Sequence, residues 1–158
     1  MKLSDWLGKW ELNSLKINAK FLELEVKPDV ADQDAAWELY IEMLTRIVIQ
    51  PLADNDGIEK TALDSIYSLF PTTREIIRGH GRKCQEFTKI AIVVLNQIVR
   101  PFTARWHKLA EEGAFDDASQ CKLFRLELRQ LQTDLSNYAG LLGDMAGVEQ
   151  DLRLLEKD

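Results

Sequence analysis

The amino-acid sequence predicts a mainly helical protein, a bundle of four to five helices with a short N-terminal β-strand or hairpin. Apolar residues recur at three- and four-residue steps along most of the 158-residue chain, which is the pattern of amphipathic helices. The exception is residues 15–26, where apolar and polar side chains alternate as in a strand. The length suits one domain, so we expect a single helical domain over residues 1–158. It divides into an N-terminal arm (1–28), a helical bundle (32–146) and a C-terminal tail (147–158).

The N-terminal arm is predicted to be an interaction edge. Its apolar side chains alternate with polar ones up to Phe21 and shift by one position from Leu22, as at a β-bulge or a hairpin. The alternative is a helix, with Leu15, Ala19, Leu22 and Val26 on one face. The alternation accounts for more residues. A lone strand has unpaired backbone groups, so we expect strand addition to another subunit or to a second copy. The predicted contact residues are Leu15, Ile17, Phe21, Leu22 and Leu24.

Capping and turn residues predict the first long helix. Asp32 or Asp34 is expected to cap it, and its apolar face runs from Trp37 to Val48. Residues 52–57 form a polar turn ending in glycine, which should end the helix. The aspartates of this turn lack the ligand spacing of a calcium loop, so we interpret them as ordinary turn residues.

The middle of the chain is predicted to hold two shorter helical segments and one long helix. The first segment begins near residue 59 and ends before a proline, and the second is interrupted by two glycines. The long helix, residues 82–112, is apolar nearly all round in its middle and should lie at the centre of the bundle. Pro101 falls inside it and removes one backbone donor, so we expect a kink or a break near Val99.

The last predicted helix carries a seam of apolar residues spaced alternately four and three positions apart. A seven-residue repeat indicates packing at the shallow angle of coiled coils and four-helix bundles. The repeat is short for a free coiled coil, so we interpret the seam as the core side of an intramolecular bundle. A seam shared between subunits is the alternative. Its residues are Phe124, Leu128, Leu131, Leu135, Tyr138, Leu142 and Met145.

Charge and hydropathy argue against some classes of partner. The formal net charge of −6 is unlike that of a general nucleic-acid binder, because such proteins neutralise phosphates with lysine and arginine. The longest wholly apolar run, residues 90–95, is far shorter than the roughly 20 residues of a membrane-spanning helix. Residues 1–10 lack the apolar core of a secretion signal. We therefore expect a cytoplasmic protein without a membrane span.

No metal or cofactor site is predicted. Structural zinc needs four close ligands, usually in two short-spaced pairs. His80 and Cys84 form one such pair, and only the distant His107 and Cys121 remain to complete it. In a reducing cytosol the two cysteines are expected to be buried thiols. The sequence also has no glycine-rich phosphate loop and no nucleophile elbow.

Two arginine–histidine pairs indicate an enzymatic alternative. Arg74 and His80 have five residues between them, and Arg100 and His107 have six. This spacing resembles the motif of helical ribonucleases of the HEPN type. The resemblance implies an arginine that stabilises phosphate charge and a histidine that moves a proton. The residue after each arginine differs from the polar one usual in that family, so we expect a non-catalytic protein and keep the ribonuclease as the alternative.

A cluster of cations is the clearest local charge asymmetry. Arg74, Arg78, Arg82, Lys83 and Lys89 lie within residues 74–89, around the two glycines, in a segment that we term the basic turn. Such a turn suits an acidic partner, a phosphate or a nucleic-acid backbone, although many charge clusters are only solvated surface. We assign the first four of these cations to the predicted interaction site. Nucleic acid is the less favoured partner.

Three runs of sequence resemble small uncharacterised bacterial proteins of multi-gene defence or conflict cassettes. They are AAWELYIEMLTRI (35–47), TALDSIYSLFPTTREI (61–76) and IAIVVLNQIVRPFTARWH (90–107). The resemblance implies an accessory role and no catalytic residue. Together with the predicted interaction edge, it favours an adaptor subunit of a bacterial antiviral-defence complex, which binds other subunits or a second copy of itself.

Overall fold

The computed structural model describes residues 1–46, 48–50, 52 and 58–157 and is mainly helical, as the sequence predicts. Short 3₁₀-helical turns lie at Gly81–Cys84, Ala114–Asp116 and Leu152–Leu154. Apart from Leu52, the predicted polar turn at residues 52–57 lies outside the described residues. The α-helices are α1 (Leu3–Lys9), α2 (Ala19–Leu22), α3 (Val30–Leu44), α4 (Glu59–Tyr67), α5 (Leu69–His80), α6 (Gln85–Val94), α7 (Arg100–Glu111) and α8 (Ala118–Met145).

The seam predicted on the last helix is confirmed as part of the core. All of its residues are buried on α8. Phe124, the first of them, packs edge-on against the Trp106 ring of α7, with 5.2 Å between the ring centroids. The buried side of α8 lies against α3, and α3 also contacts α5 and α6. The helices α3 and α8 therefore form the centre on which the shorter helices pack.

The predicted N-terminal strand is wrong. Residues 15–18 are irregular, and α2 follows as a single helical turn. Within the described residues of the arm, strand-like pairing is limited to one antiparallel bridge between Lys2 and Glu25. The side chain of Asn18 accepts a hydrogen bond from the Lys20 backbone N–H at 2.9 Å. Such local bonding competes with a strand ladder and here starts a helix.

The residues predicted for strand addition have other positions in the structure. Leu15 is buried, and Ile17 and Leu22 pack partly against the core. Phe21 and Leu24 are exposed, but they lie on the short helix α2 and on the loop after it. The arm thus covers the domain instead of presenting a strand edge, and strand addition has no structural basis in it.

The distortion predicted near Val99 takes the form of a π-helical turn. The segment Leu95–Val99 continues α6 directly into α7, and the backbone N–H of Arg100 donates to the Leu95 carbonyl. Pro101 lies in the first turn of α7. Because the helical path is continuous here, the π-helical turn directly before Pro101 accommodates its missing donor and its ring. The long helix is therefore widened locally without a break in its path.

Hydrogen bonds to one carboxylate connect α1 to the C-terminal half of α8. One carboxylate oxygen of Asp144 accepts hydrogen bonds from the indole N–H groups of Trp6 at 2.8 Å and Trp10 at 2.9 Å. The Lys9 ammonium group contacts the same oxygen at 3.0 Å. Burial favours the neutral acid, but these three donors hold the pKa of Asp144 below its ordinary value. A Cβ added to Gly140 would lie 2.5 Å from the Trp10 ring, so glycine permits this close approach.

Candidate interaction site

A glycine at the end of α5 shapes the basic turn. Gly81 has a φ of +69°, in the left-handed region that favours glycine, and α5 ends at His80 just before it. The chain then makes one 3₁₀-helical turn and enters α6. Inside this turn, the Cys84 thiol donates a hydrogen bond to the Gly81 carbonyl at 3.2 Å. These interactions set the direction in which α6 leaves α5.

The buried side chain of Asp32 on α3 connects the basic turn to the core by a hydrogen bond. Its Oδ1 accepts a hydrogen bond from the backbone N–H of Phe87, in the first turn of α6, at 3.0 Å. Its Oδ2 accepts another from the Asp29 backbone N–H at 3.0 Å, completing a capping box at the start of α3. Burial raises the pKa of Asp32 in spite of these two donors. One buried carboxylate therefore caps two helices and ties the basic turn to α3.

A groove of about 470 Å³ opens between the end of α5 and the outer face of α6. Ile77 and Ile92 provide its apolar floor, and Ile92 is 51% exposed. Arg78, Arg82 and Lys89 also line the groove, and most of its surface is formed by carbon atoms. These five residues define what we term the basic groove. It combines an aliphatic surface with a positively charged rim.

The arginines of the basic turn differ from most others in the chain. No hydrogen bond, ion pair or ring contact with another described residue involves the heads of Arg74, Arg78 and Arg82. A guanidinium group presents a planar fork of donors that matches a carboxylate or a phosphate. These three heads are therefore available to an external anion. By contrast, described side chains contact Arg46, Arg100, Arg105, Arg125 and Arg153.

The structure brings together some of the predicted cations and adds apolar residues that the sequence interpretation missed. Arg78 and Arg82 line the basic groove, whereas Arg74 and Lys83 are exposed nearby and do not line it. Ile92 lies in an apolar run that the sequence marks as central and buried. Its three-residue step from Lys89 was the signal that it shares a face with polar residues.

The first arginine–histidine pair is not brought together. Arg74 and His80 are six positions apart on α5, so they point roughly 120° away from each other around the helix. His80 instead contacts Glu38 of α3, with 3.1 Å between Nε2 and Oε2. These two residues therefore do not share one face of α5.

The second pair shares one face of α7, but each member is held separately. Arg100 stacks on the Phe70 ring, with its guanidinium carbon 4.6 Å from the ring centroid. His107 packs edge-on against Tyr67, with 5.0 Å between the ring centroids. The pair is therefore built into the packing of α7 on α4 and α5, and the ribonuclease alternative stays a prediction.

The described residues contain no group of three histidine, cysteine, aspartate or glutamate side chains that could hold a metal ion. His80 is directed to Glu38, and Cys84 is buried in the basic turn. Cys121 is half-buried, and its thiol donates to the Phe115 carbonyl at 3.3 Å. In the same part of the chain, no helix is both long enough and apolar enough to cross a membrane.

The basic groove is thus the surface in which available charge and exposed apolar area coincide. No known protein family, no curated protein and no solved structure matches this chain.

Proposed function

We propose that the chain is a non-catalytic protein-interaction module whose basic groove binds an acidic amphipathic helix of a partner. The observation that supports this proposal is the exposed aliphatic floor next to Arg78 and Arg82, whose heads have no partner among the described residues. Apolar side chains of the partner would cover Ile77 and Ile92. Its carboxylates would pair with the two arginines, in the bidentate geometry that arginine favours.

A protein partner suits this groove better than a nucleic acid does. Proteins that hold single strands stack bases on aromatic rings along a basic channel. Aliphatic, charged and small polar residues line the groove, and none of the lining residues is aromatic. The formal net charge of −6 also opposes the approach of a polyphosphate chain. An aliphatic floor with a cationic rim is instead typical of grooves that receive amphipathic helices.

The groove indicates what the partner helix should look like. Recognition of a helix in a groove uses apolar anchors at steps of three and four residues. Carboxylates on the turns beside those anchors would reach the arginines. A module of this kind joins proteins without chemistry of its own, which is the role of an adaptor subunit. The resemblance to bacterial defence and conflict proteins supports placing it in a multi-protein complex of that type.

Fluorescence anisotropy with designed peptides tests the proposal. The probe is a labelled helical peptide of leucine, alanine and glutamate with leucines at three- and four-residue steps, and a scrambled peptide of the same composition is the control. The patterned peptide should bind at least about tenfold more tightly, a difference of about 1.4 kcal/mol. Ile92→Asp should remove this preference, because it places a charge on the apolar floor. The fold should tolerate this change at an exposed position.

A matched variant separates groove binding from general attraction. Lys108→Glu/Lys122→Glu changes two exposed lysines outside the groove and should leave peptide binding unchanged. Equal binding of the patterned and scrambled peptides by the wild type would contradict the proposal. So would a loss of peptide binding in this control variant as large as the loss in Ile92→Asp. Salt-sensitive binding of single-stranded RNA that requires Arg78 and Arg82, without peptide binding, would assign a nucleic-acid function instead.

A further inference from the structure

The outer face of α3 has the pattern expected of the partner helix. Trp37 and Ile41 lie one helical turn apart, and Asp34, Glu38 and Glu42 flank them. We term these five residues the acidic face. Trp37 is 45% exposed, and tryptophan is among the residues that most often anchor interfaces. Apart from Asp34, the residues of the acidic face also line a second groove of about 350 Å³, together with residues of α5.

The acidic face and the basic groove adjoin each other. Glu38 of the acidic face contacts His80 at 3.1 Å, and His80 directly precedes Gly81, which lines the basic groove. One subunit therefore presents, side by side, a helix with carboxylates around a tryptophan and a groove with arginines around isoleucines. The two surfaces are opposite in charge, and both contain exposed apolar area.

We infer that the basic groove binds the acidic face of a second copy of this chain, forming a two-fold dimer. This inference rests on the proposed function and identifies the partner helix. Adjacent complementary surfaces suit a two-fold axis, because each copy then donates its acidic face and receives that of the other. Trp37 covers the apolar floor of the facing groove. Asp34 and Glu38 meet the arginines that have no partner within one copy, whereas Glu42 stays paired with Arg46 of its own copy, with 2.6 Å between the Arg46 Nη2 and the Glu42 Oε2.

Charge complementarity favours this occupant. Asp34 has no ion pair with another described residue, and Glu38 contacts only the partly exposed His80. In the basic groove, the heads of Arg78 and Arg82 likewise have no partner among the described residues. In the dimer, Asp34 and Glu38 of each copy pair with the groove arginines of the other copy, so this contact forms twice. It also removes Trp37 and Ile92 of both copies from water, which gives an apolar contribution in addition to the charges.

A charge-exchange experiment tests the dimer. Arg78→Glu/Arg82→Glu makes the groove acidic, and Asp34→Lys/Glu38→Lys makes the helix face basic. Each variant alone should be monomeric in sedimentation velocity, since like charges then face each other at both contacts. An equimolar mixture of the two variants should form a heterodimer, because both contacts again join opposite charges. Glu111→Lys/Glu112→Lys, at exposed positions at the end of α7, is the matched control and should dimerise like the wild type.

Trp37→Ala gives an independent test without a change of charge. It should weaken dimerisation at least tenfold while leaving the circular dichroism spectrum unchanged, because Trp37 lies at the surface. The acidic peptide should dissociate the wild-type dimer by competing for the groove. If a charge-reversed variant fails to fold, this truncation and the competition still decide the question.

The outcomes distinguish self-pairing from the proposed function. A monomeric wild type whose groove binds the patterned peptide would overturn self-pairing and leave the proposed function intact. A wild-type dimer that survives Arg78→Glu/Arg82→Glu and Trp37→Ala would also overturn it, since the subunits would then pair through another surface. A wild type that neither dimerises nor binds the peptide would overturn both proposals.

Discussion

The carboxylate of Asp32 and the backbone N–H of Phe87 are joined by a hydrogen bond of 3.0 Å across 55 positions of sequence. Asp32 belongs to α3 and Phe87 to the first turn of α6, so the bond links the centre of the domain to the segment that forms one wall of the basic groove. The stability of the fold and the shape of the groove therefore depend on the same side chain.

Asp32→Asn should lower the free energy of unfolding by about 1–3 kcal/mol, because the amide keeps one acceptor oxygen where two buried N–H groups need one each. Urea denaturation followed by circular dichroism measures the loss. Asp5→Asn, at an exposed position on α1 outside the basic groove and the acidic face, should leave stability nearly unchanged. Equal stability of Asp32→Asn and the wild type would show that the two caps do not depend on this carboxylate.

The start of α3 shows how far local sequence predicts a cap. The sequence indicates a helix beginning near Asp32, and an aspartate does cap it, but that residue is Asp29 and Asp32 occupies the third position of the helix. Aspartates three residues apart can both satisfy the capping pattern. The choice between them follows from the long-range bond to Phe87, which spacing along α3 alone does not indicate.

Gly140→Ala should destabilise the protein by about 1–3 kcal/mol, because the new methyl group would displace the Trp10 ring from α8. The added Cβ would also lie 3.0 Å from the guanidinium carbon of Arg153, which limits the room for relaxation. Thermal unfolding followed by tryptophan fluorescence measures the loss and reports the changed indole environment. Gly8→Ala is the matched control, since a Cβ there meets nothing within 4 Å. A helical alanine should change stability little or raise it by up to about 1 kcal/mol.

Asp144 should contribute to the stability of the fold at neutral pH and lose this contribution in acid. Burial opposes its ionisation, but the bonds from Trp10, Lys9 and Trp6 lower its pKa in the folded state. A lowered pKa of an acid stabilises the fold above the unfolded value of about 3.9, and this stabilisation is lost as the pH falls through the folded pKa. Asp144→Asn should therefore be less stable than the wild type at neutral pH by about 1–3 kcal/mol.

The difference in the free energy of unfolding between Asp144→Asn and the wild type should become smaller below about pH 4. Denaturant titrations at several pH values measure it, with Asp5→Asn as the control, at an exposed position on α1. A difference that does not depend on pH would mean that the ionised carboxylate does not contribute through these three donors.

His107→Ala addresses the ribonuclease alternative. Arg100 and His107 are each held by a different aromatic ring, so we expect the wild type to leave single-stranded RNA intact and the variant to behave identically. Gel analysis of labelled RNA after prolonged incubation measures cleavage. Cleavage by the wild type that disappears in His107→Ala but persists in His80→Ala would establish the enzyme and contradict the non-catalytic proposal.

The helical class and the seam on α8 were predictable because each follows from spacing along one element. The N-terminal arm was not, since alternation over a short segment also occurs where a loop packs irregularly against a core, as Leu15 and Ile17 do. The cations of the basic turn were visible in the sequence. The exposed floor at Ile92 depends on how α5 and α6 diverge at Gly81, and that geometry is decided by contacts with α3.

The most direct test of the basic groove is its preference between two peptides of opposite charge. The wild type should bind the acidic amphipathic helix at least tenfold more tightly than the same helix with lysine in place of glutamate, and Arg78→Glu/Arg82→Glu should reverse that order. Calorimetric titration of both peptides against both proteins measures the preference. A preference that stays the same in the variant, or a wild type that does not distinguish the peptides, would contradict the proposal that the basic groove binds an acidic helix.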